Sequence, residues 1–455
     1  MKMTCAEIAA AVGGSLCSNG GDTLVSGVST DSRTLQVGEL FVPLHGPNYD
    51  GHDYLRQAVE HGAAACLSEE VIGALPVPVI QVEDTLQALG EIASYVRAGF
   101  AHPVFAITGT SGKTSTKQML AAVLSRSSAG LKTEGNFNNL IGLPLTVCRL
   151  KPQQRWMVLE MGMSQPGEIA RLSAIARPDV AIITNIGAGH LSGVGDIAGV
   201  ARAKGELFDA LASGACAVVN NDDVWLRALP LPAGVKKITF AIDSEADVRA
   251  SDISGGRQVE FTLHHGGHSV AVRLPLPGRH QVYNALAAAA AALSRGVDLD
   301  TVVAGLGDVE MVASRLEVCE TAGGITILDD SYNANPQSMR AALTTLGDWP
   351  CSGRRIAVLA DMLELGDAAA QCHREIGIFA ASQVDKIVVM GQWSSDVLAG
   401  VAAVENGRVD EYLCCADHGA IVDWLRGNLH RDDCVLVKGS RGMRMERVVR
   451  QLHSL

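Results

Sequence analysis

A short glycine-containing segment carries the clearest chemical signal in this sequence. Residues 104–114 read Val-Phe-Ala-Ile-Thr-Gly-Thr-Ser-Gly-Lys-Thr, an order typical of a strand, a tight turn and the start of a helix. Gly109 and Gly112 would let the backbone turn and approach phosphate oxygens, while the amides of the new helix point at the anion. Lys113 adds a positive charge for the outer phosphates, and the Thr114 hydroxyl can ligate Mg²⁺. The segment therefore predicts a site for Mg·ATP.

This loop is a shortened form of the standard phosphate-binding loop. Glycine is expected six residues before the lysine, and Ile107 stands there instead. The plain alternative is a glycine turn between any strand and helix. The coincidence of strand, glycines, lysine and threonine favours ATP binding. The predicted nucleotide contacts of the loop are Thr108, Gly109, Thr110, Ser111, Gly112, Lys113, Thr114 and Ser115.

Three polar residues downstream could assist this chemistry. Glu160 ends the apolar run 156–160, and the carboxyl end of a parallel strand faces the crevice where ligands bind. His190 follows the apolar run 180–185 in a similar loop. Taken alone, Glu160 is typical of a surface glutamate, His190 of a structural histidine, and Lys204 of a solvated lysine on a helix. Spacing by itself therefore assigns none of them a catalytic role.

The apolar runs that must position these residues predict three α/β domains, with limits at 1–100, 101–312 and 313–455. The first region is small and mixed. In the second, strand-length runs alternate with helical patterns, which favours a P-loop ATPase-type parallel sheet. Near 248–276 the apolar period changes to two between glycine pairs, which predicts an antiparallel extension. The third region alternates again and predicts a Rossmann-like sheet.

Bulk composition limits the class of protein further. The chain has 455 residues and 47% apolar residues, enough for several buried cores, and its net charge of −12 disfavours nucleic acid as a partner. The 11 cysteines show no metal-ligand spacing, which indicates reduced thiols in the cytoplasm. No secretion signal is visible, and the alanine run 285–292 is too short to cross a bilayer. We expect a cytoplasmic enzyme without membrane insertion.

A series of segments resembles the Mur ligases of peptidoglycan precursor synthesis over nearly the whole chain. The likeness is strongest to members that add D-alanyl-D-alanine to UDP-N-acetylmuramoyl-tripeptide, and segments 134–139 and 329–336 carry that distinction. Besides the glycine loop, the matching segments are Glu-Gly-Asn-Phe-Asn-Asn (134–139), Glu-Met-Gly (160–162), Asn185 with His-Leu (190–191), Ala-Lys-Gly-Glu (203–206), Gly-Arg-His (278–280) with Asn-Ala (284–285), Ser-Arg-Leu-Glu (314–317), Asp-Asp-Ser-Tyr-Asn-Ala-Asn-Pro (329–336) and Lys-Gly-Ser-Arg (438–441).

The resemblance implies three domains that close around small-molecule substrates. The first would hold the UDP end, the second ATP, two Mg²⁺ ions and the acyl substrate, and the third would bring D-alanyl-D-alanine. A carboxylate would become an acyl phosphate, which the amine of the dipeptide would then attack. We expect the enzyme to act as a monomer.

The resemblance also implies roles for the polar residues left open above. Thr114 and Glu160 would ligate one Mg²⁺, while His190 and Lys204 would serve the second, Lys204 after carbamylation by CO₂. Carbamylation needs a neutral amine and therefore a lysine with a depressed pKa. The implied catalytic set is Lys113, Glu160, His190, Lys204 and Arg315.

Further residues are matched to ligand contacts by their position in these motifs. Asn284 would contact the nucleotide, Arg315 the γ-phosphate and Asp330 the ribose. The implied contacts to the other substrates are Thr30, Asp31, Ser32 and Arg33 at the UDP end, Asn136, Asn138 and Asn139 along the sugar-peptide channel, and Tyr332, Asn333, Asn335, Lys438, Ser440 and Arg441 near the dipeptide.

Two positions depart from the family pattern. Gln281 follows His280 where the family usually has asparagine, so the nucleotide contact there is lengthened by one methylene. Ala360 precedes Asp361 where the family usually has glycine, which implies that this point needs neither a close backbone approach nor a positive φ.

Three other functions fit part of the sequence. A P-loop switch without ligase activity would explain the glycine loop but would leave 134–139 and 329–336 unused. Folylpolyglutamate synthases place the loop close to the amino terminus, whereas about 100 residues precede it here. Mur ligases that add the third residue carry Asp-Asn-Pro-Arg in their last domain, and this sequence lacks it.

Overall fold

Sheets of five, nine and six strands follow one another along the chain. They are seen in a computed structural model that describes residues 1–17, 19–71, 75–310 and 312–453. Each sheet is covered by helices, and the mixed α/β class with three domains is confirmed. Among the described residues, no helix combines the length and the apolar character that crossing a bilayer requires.

The first sheet has the strand order β2-β7-β6-β5-β4, and its pairs are parallel except for β2 with β7. A separate antiparallel pair, β1 with β3, lies beside it. The elements are β1 (Met3–Thr4), α1 (Cys5–Ala11), β2 (Ser15–Leu16), β3 (Leu24–Val25), β4 (Val28–Ser29), β5 (Leu40–Phe41), a 3₁₀ turn (Gly51–Tyr54), α2 (Leu55–Glu60), β6 (Ala65–Ser68), β7 (Val79–Gln81) and α3 (Thr85–Ala98).

The central sheet has the order β16-β15-β14-β13-β12-β11-β8-β10-β9 and is parallel from β9 to β14. Its elements are β8 (Val104–Thr108), α4 (Lys113–Ser125), β9 (Leu131–Lys132), α5 (Gly142–Cys148), β10 (Met157–Glu160), α6 (Glu168–Ala176), β11 (Val180–Ile183), α7 (Leu191–Val194), α8 (Ile197–Asp209), β12 (Cys216–Asn220), α9 (Val224–Ala228), β13 (Lys236–Ala241), β14 (Val248–Ser254), β15 (Val259–His265), β16 (His268–Leu274), α10 (His280–Leu293) and α11 (Leu299–Gly307).

Two features of this sheet matter for the site. Strand β8 is buried along its whole length between β10 and β11, so the loop that leaves it is held firmly. The antiparallel extension predicted from the period-two pattern is present as β14, β15 and β16. The apolar run 180–185 ends as a strand at Ile183, because Thr184 and Asn185 turn toward the glycine loop and hydrogen-bond to it.

Helix α10 is apolar nearly all round and packs beside α4. Its six consecutive alanines, 287–292, are completely buried. Such small side chains let neighbouring backbones approach closely. Helix α10 therefore lies beneath the central sheet as a tightly packed support that begins next to the glycine loop.

The C-terminal sheet has the order β17-β18-β22-β19-β20-β21, with β17 as an antiparallel edge strand on an otherwise parallel sheet. The elements are β17 (Glu317–Glu320), β18 (Thr326–Asp330), α12 (Pro336–Gly347), β19 (Arg355–Ala360), a 3₁₀ turn (Gly366–Ala368), α13 (Ala369–Ala380), β20 (Lys386–Met390), α14 (Ser394–Ala402), β21 (Glu411–Cys414), α15 (His418–Asn428), β22 (Cys434–Lys438), a 3₁₀ turn (Arg441–Met443) and α16 (Glu446–Leu452).

Candidate active site

The glycine loop lies between β8 and α4, and its two glycines are required by geometry. Gly109 has φ 147°, and a Cβ atom there would lie 1.9 Å from Oγ1 of Thr184. Gly112 has φ 83°, and its Cβ would lie 2.2 Å from Oδ1 of Asn284. A side chain at either position would both strain the backbone and displace a neighbour. The loop can therefore keep this shape only with glycine.

Helix α4 begins at the loop without a side-chain cap, so the amides of its first turn are available to an anionic ligand. Lys113 folds back over the loop, and its Nζ donates to the carbonyl oxygen of Gly109 at 2.7 Å. Burial, together with the charge of Arg315, lowers the pKa of Lys113.

Glu160 lies at the end of β10, buried to 2% exposure, and three donors surround its carboxylate. Thr114 Oγ1 donates to Oε2 at 3.0 Å, Asn138 Nδ2 donates to Oε1 at 2.9 Å, and Lys117 Nζ lies 3.1 Å from Oε2. Burial alone would raise the pKa of Glu160, but Lys117 and Lys113 outweigh it and lower the pKa. The site thus holds an ionised carboxylate next to a hydroxyl, and such hard oxygens suit Mg²⁺. The prediction of a surface-exposed Glu160, based on its place at a strand end alone, is therefore wrong.

Lys117 is a site residue that the sequence reasoning missed. It is 1% exposed, and its ammonium group faces Glu160 from α4. The signal was present in the spacing, because Lys117 follows Lys113 by four residues and therefore lies on the same face of the helix.

Lys204 is buried in α8 to 1% exposure, whereas its surroundings in the sequence are typical of a solvated lysine. No described residue forms a hydrogen bond or ion pair with its Nζ. Burial, and then the charge of Lys113, lowers the pKa of Lys204 well below its usual value. Burial therefore favours the neutral amine, the state that carbamylation requires.

His190 follows β11 in a left-handed conformation with φ 57°. Its Nδ1 lies 2.6 Å from Oε2 of Glu364, which belongs to the C-terminal domain. The two atoms are in close polar contact, but Nδ1 does not meet hydrogen-bond geometry with Glu364 or with any other described residue.

The C-terminal domain places an amide side chain against the glycine loop and a buried lysine beside Asp330. Asn335, the N-cap of α12, lies against the loop, and its side chain is within 3.2 Å of Ser111 Oγ. Lys438 Nζ donates to Asp330 at 2.5 Å and to the carbonyl oxygen of Asn333 at 2.9 Å. Asp330 is thus held by a buried lysine at the carboxyl end of β18.

A cavity of about 830 Å³ lies between these two domains, and most of the predicted site residues line it. Those residues are Thr110, Ser111, Gly112, Lys113, Thr114, Ser115, Asn136, Asn138, Asn139, Glu160, His190, Asn284, Arg315, Asp330, Tyr332, Asn333, Asn335, Lys438 and Arg441. The predicted residues that do not line it are Thr108, Gly109, Lys204, Ser440, Thr30, Asp31, Ser32 and Arg33.

The residues outside the cavity have other surroundings. Thr108 is buried and donates from Oγ1 to the carbonyl oxygen of Met161, which ties the ends of β8 and β10 together. Ser440 Oγ accepts from the amide of Leu363 at 2.8 Å and donates to Ala334. Residues 30–33 form a separate turn in the first domain. Within this turn Arg33 and Asp31 make a bidentate ion pair.

The two departures from the family pattern are accommodated locally. Gln281 is buried, and its Oε1 accepts from Nδ2 of Asn284 at 2.9 Å, so it orients the amide that meets the glycine loop. Ala360 ends β19 without a positive φ, and its Cβ occupies the space that a side chain at Gly439 would need.

A phosphate-binding loop that faces a second α/β domain across a polar cavity is the arrangement of an ATP-dependent ligase. The chain matches three domain families: the Mur ligase family, catalytic domain, over residues 24–97, the Mur ligase middle domain over 107–292, and the Mur ligase, glutamate ligase domain, over 314–441.

Individual relatives agree with these domain matches. The UDP-N-acetylmuramoyl-tripeptide--D-alanyl-D-alanine ligase of Escherichia coli is 40% identical and aligns over 95% of both chains. The ligase of the same name from Bacillus subtilis is 36% identical over 99% of this chain and 98% of its own. A crystal structure of MurF from Acinetobacter baumannii superposes with a TM-score of 0.92 at 32% identity, covering 100% of this chain and 99% of that one. The chain belongs to the Mur ligase family and is an ATP-dependent ligase of peptidoglycan precursor synthesis.

Proposed function

We propose that this ligase joins D-alanyl-D-alanine to UDP-N-acetylmuramoyl-tripeptide, giving the UDP-muramoyl-pentapeptide, ADP and phosphate. One observation carries the proposal: Asn335, in the segment 329–336 that distinguishes the dipeptide-adding members, lies against Ser111 of the glycine loop. The dipeptide-adding activity named for the relatives from E. coli and B. subtilis supports the same assignment.

In the first step the terminal carboxylate of the tripeptide attacks the γ-phosphorus of ATP. A carbon–oxygen–phosphorus link forms, the bond to the β-phosphate oxygen breaks, and ADP leaves. Lys113 and Arg315 both line the cavity and would stabilise the charge that develops on the transferred phosphoryl group.

In the second step the free amine of D-alanyl-D-alanine attacks the acyl carbon. The amide bond forms, phosphate leaves, and the amine releases a proton to solvent. Activation is needed because a carboxylate is a poor electrophile. Holding both reactants in one closed cavity supplies much of the rate by proximity and orientation.

The donors around Glu160 fit a divalent cation. Thr114 and Glu160 would hold one Mg²⁺, and His190 with carbamylated Lys204 would hold the second. When bound, the ions offset negative charge on the phosphate oxygens. The chain's own contribution is to favour the ionised form of Glu160 through Lys117 and the neutral form of the Lys204 amine through burial.

The three predicted regions would divide the substrates between them. Residues 1–100 would bind the UDP end through Thr30–Arg33, residues 101–312 ATP and the peptide carboxylate, and residues 313–455 the dipeptide. We place the enzyme in the cytoplasm as a monomer. The free state of all eleven cysteines supports a reducing compartment.

The test is an assay with the purified chain, ATP, UDP-muramoyl tripeptide and D-alanyl-D-alanine, in which ADP release and product mass are followed together. Omitting the dipeptide should stop product formation. Lys113→Ala should reduce kcat/KM by at least about a hundredfold, whereas the exposed Lys237→Ala serves as a control. ADP release that is indifferent to the dipeptide would exclude the proposed ligation and favour an ATP-driven switch.

Single amino acids in place of the dipeptide test the sibling ligases. A Mur ligase that adds the third residue would turn over with an amino acid and UDP-muramoyl dipeptide. A folylpolyglutamate synthase would turn over with glutamate and a folate. Neither pair should give product here.

A further inference from the structure

Glu364 makes the most direct contact between the C-terminal domain and a predicted metal-binding side chain. It lies in the loop after β19, and the only described residue that its carboxylate pairs with is His190 of the central domain, at 2.6 Å. The mechanism above assigns Glu364 no role.

The backbone holds Glu364 in this position in two ways. Glu364 has φ 63°, a left-handed conformation that is costly for a residue other than glycine. Its carbonyl oxygen accepts from the amide of Ser192 at 3.2 Å, two residues beyond His190. The same loop is anchored from within its own domain, because Ser440 Oγ accepts from the amide of Leu363.

The geometry leaves one imidazole nitrogen for a ligand. Nδ1 of His190 faces the carboxylate of Glu364, and no described residue pairs with Nε2, on a ring that lines the cavity. Histidines that ligate metals commonly present the other nitrogen to a carboxylate, which fixes the tautomer and the direction of the ring.

We infer that Glu364 is a positioning residue that orients His190 toward the second cation, so that this site is complete only when the C-terminal domain is closed. The inference rests on the proposed function, in which His190 serves that cation. The inference adds that the contact between Glu364 and His190 couples the affinity for the second ion to domain closure. The carboxylate touches neither substrate nor reacting atoms and acts only through the imidazole.

The coupling has a thermodynamic consequence. If closure supplies the partner that orients His190, the ion must in turn favour the closed arrangement by the same factor. Removing a carboxylate that orients a metal-binding histidine weakens metal affinity by about 10- to 100-fold. The nucleotide and its first ion, held by the glycine loop and Glu160, should be unaffected.

The test measures Mn²⁺ binding to the full chain by electron paramagnetic resonance, with a nonhydrolysable ATP analogue and without tripeptide or dipeptide. Wild type should bind two ions. Glu364→Ala should weaken the second by at least about tenfold, and Glu364→Gln by less, because the amide keeps a polar oxygen beside Nδ1. Asp367→Asn is the matched control, since it removes an exposed charge three residues away in the following 3₁₀ turn and should change nothing.

A double-mutant cycle distinguishes orientation of His190 from general damage. In a His190→Ala background, Glu364→Ala should cause no further loss of ion affinity. An equal loss with and without His190, unchanged affinity in both Glu364 variants, or a single Mn²⁺ in wild type would each overturn the inference. Because ion binding is scored without amide product, a chain that failed the ligase assay would refute the proposed function separately.

Discussion

The guanidinium carbon of Arg315 lies 4.1 Å from the centre of the Tyr332 ring, within the range of a cation–π contact. Arg441 approaches the same ring, with its guanidinium carbon 5.6 Å from the centre. All three side chains line the cavity. One aromatic ring therefore contacts two cations at the wall of the cavity, where the proposed reaction would bring the transferred phosphate and the dipeptide together.

We expect Tyr332→Phe to keep nearly full activity, because the ring that orients Arg315 remains. Tyr332→Leu should lower kcat/KM by about tenfold, since a cation–π contact of this kind stabilises by about 0.5–2 kcal/mol. Steady-state ADP release with all three substrates measures both variants. Equal losses in the two would show that the hydroxyl and not the ring is what matters.

Gly112→Ala should abolish tight ATP binding. The new Cβ would lie 2.2 Å from Oδ1 of Asn284, and φ 83° would strain any other side chain. Calorimetry with an ATP analogue should show affinity lowered by at least about tenfold. Gly214→Ala is the matched control, because Gly214 has φ 86° but open space around its Cβ. That variant should lose some stability yet bind the analogue normally.

Lys117→Met should destabilise the protein by about 3–5 kcal/mol, because it leaves the buried Glu160 carboxylate without its cation. Adding Glu160→Gln should recover most of that loss. Chemical denaturation without nucleotide measures both free energies of unfolding. The exposed pair Arg273–Glu260 is the comparison, and Arg273→Met should cost less than about 1 kcal/mol. A small effect of Lys117→Met would mean that Glu160 finds another partner.

His280 makes stability depend on pH in mildly acidic solution. Burial, and then the charge of Lys438, lowers its pKa to about 4, against about 6.5 in an unfolded chain. Between these values the unfolded state binds more protons, so the free energy of unfolding falls as the pH drops, by up to about 3 kcal/mol.

His280→Gln should therefore flatten the change in unfolding free energy between pH 7 and about pH 4. Urea denaturation at several pH values measures the slope. His268→Gln, at an exposed position in the antiparallel extension, should leave the slope as it is in wild type. An unchanged slope in the His280 variant would show that its imidazole is solvated.

The sequence predicted the elements whose patterns are local. Alternating apolar runs and helical stretches indicate the parallel sheets, and the period-two segment with its glycine pairs indicates the antiparallel extension. The glycine loop could also be predicted from the sequence, because the residues that define it are seven contiguous positions, 108–114. Strand ends were less certain, as the termination of β11 at Ile183 shows.

The burial of charged residues could not be read locally. Lys204 and Glu160 have surroundings typical of surface residues, and only the packing of α8 and of α4 against the sheet buries them. The contact between His190 and Glu364 joins two domains and positions 174 residues apart in the chain. No periodicity or spacing encodes such a pair, because it depends on how the two domains meet.

The shape of the glycine loop also depends on residues of helix α10 that lie far from it. The alanine side chains of this helix have no rotamers to adjust, so a valine at Ala290 would have to push the whole helix outward. Asn284, about 9 Å away along the axis, would move with it against Gly112. In a mutational screen scored by growth, larger residues at these remote alanines should therefore be as harmful as substitutions in the active site.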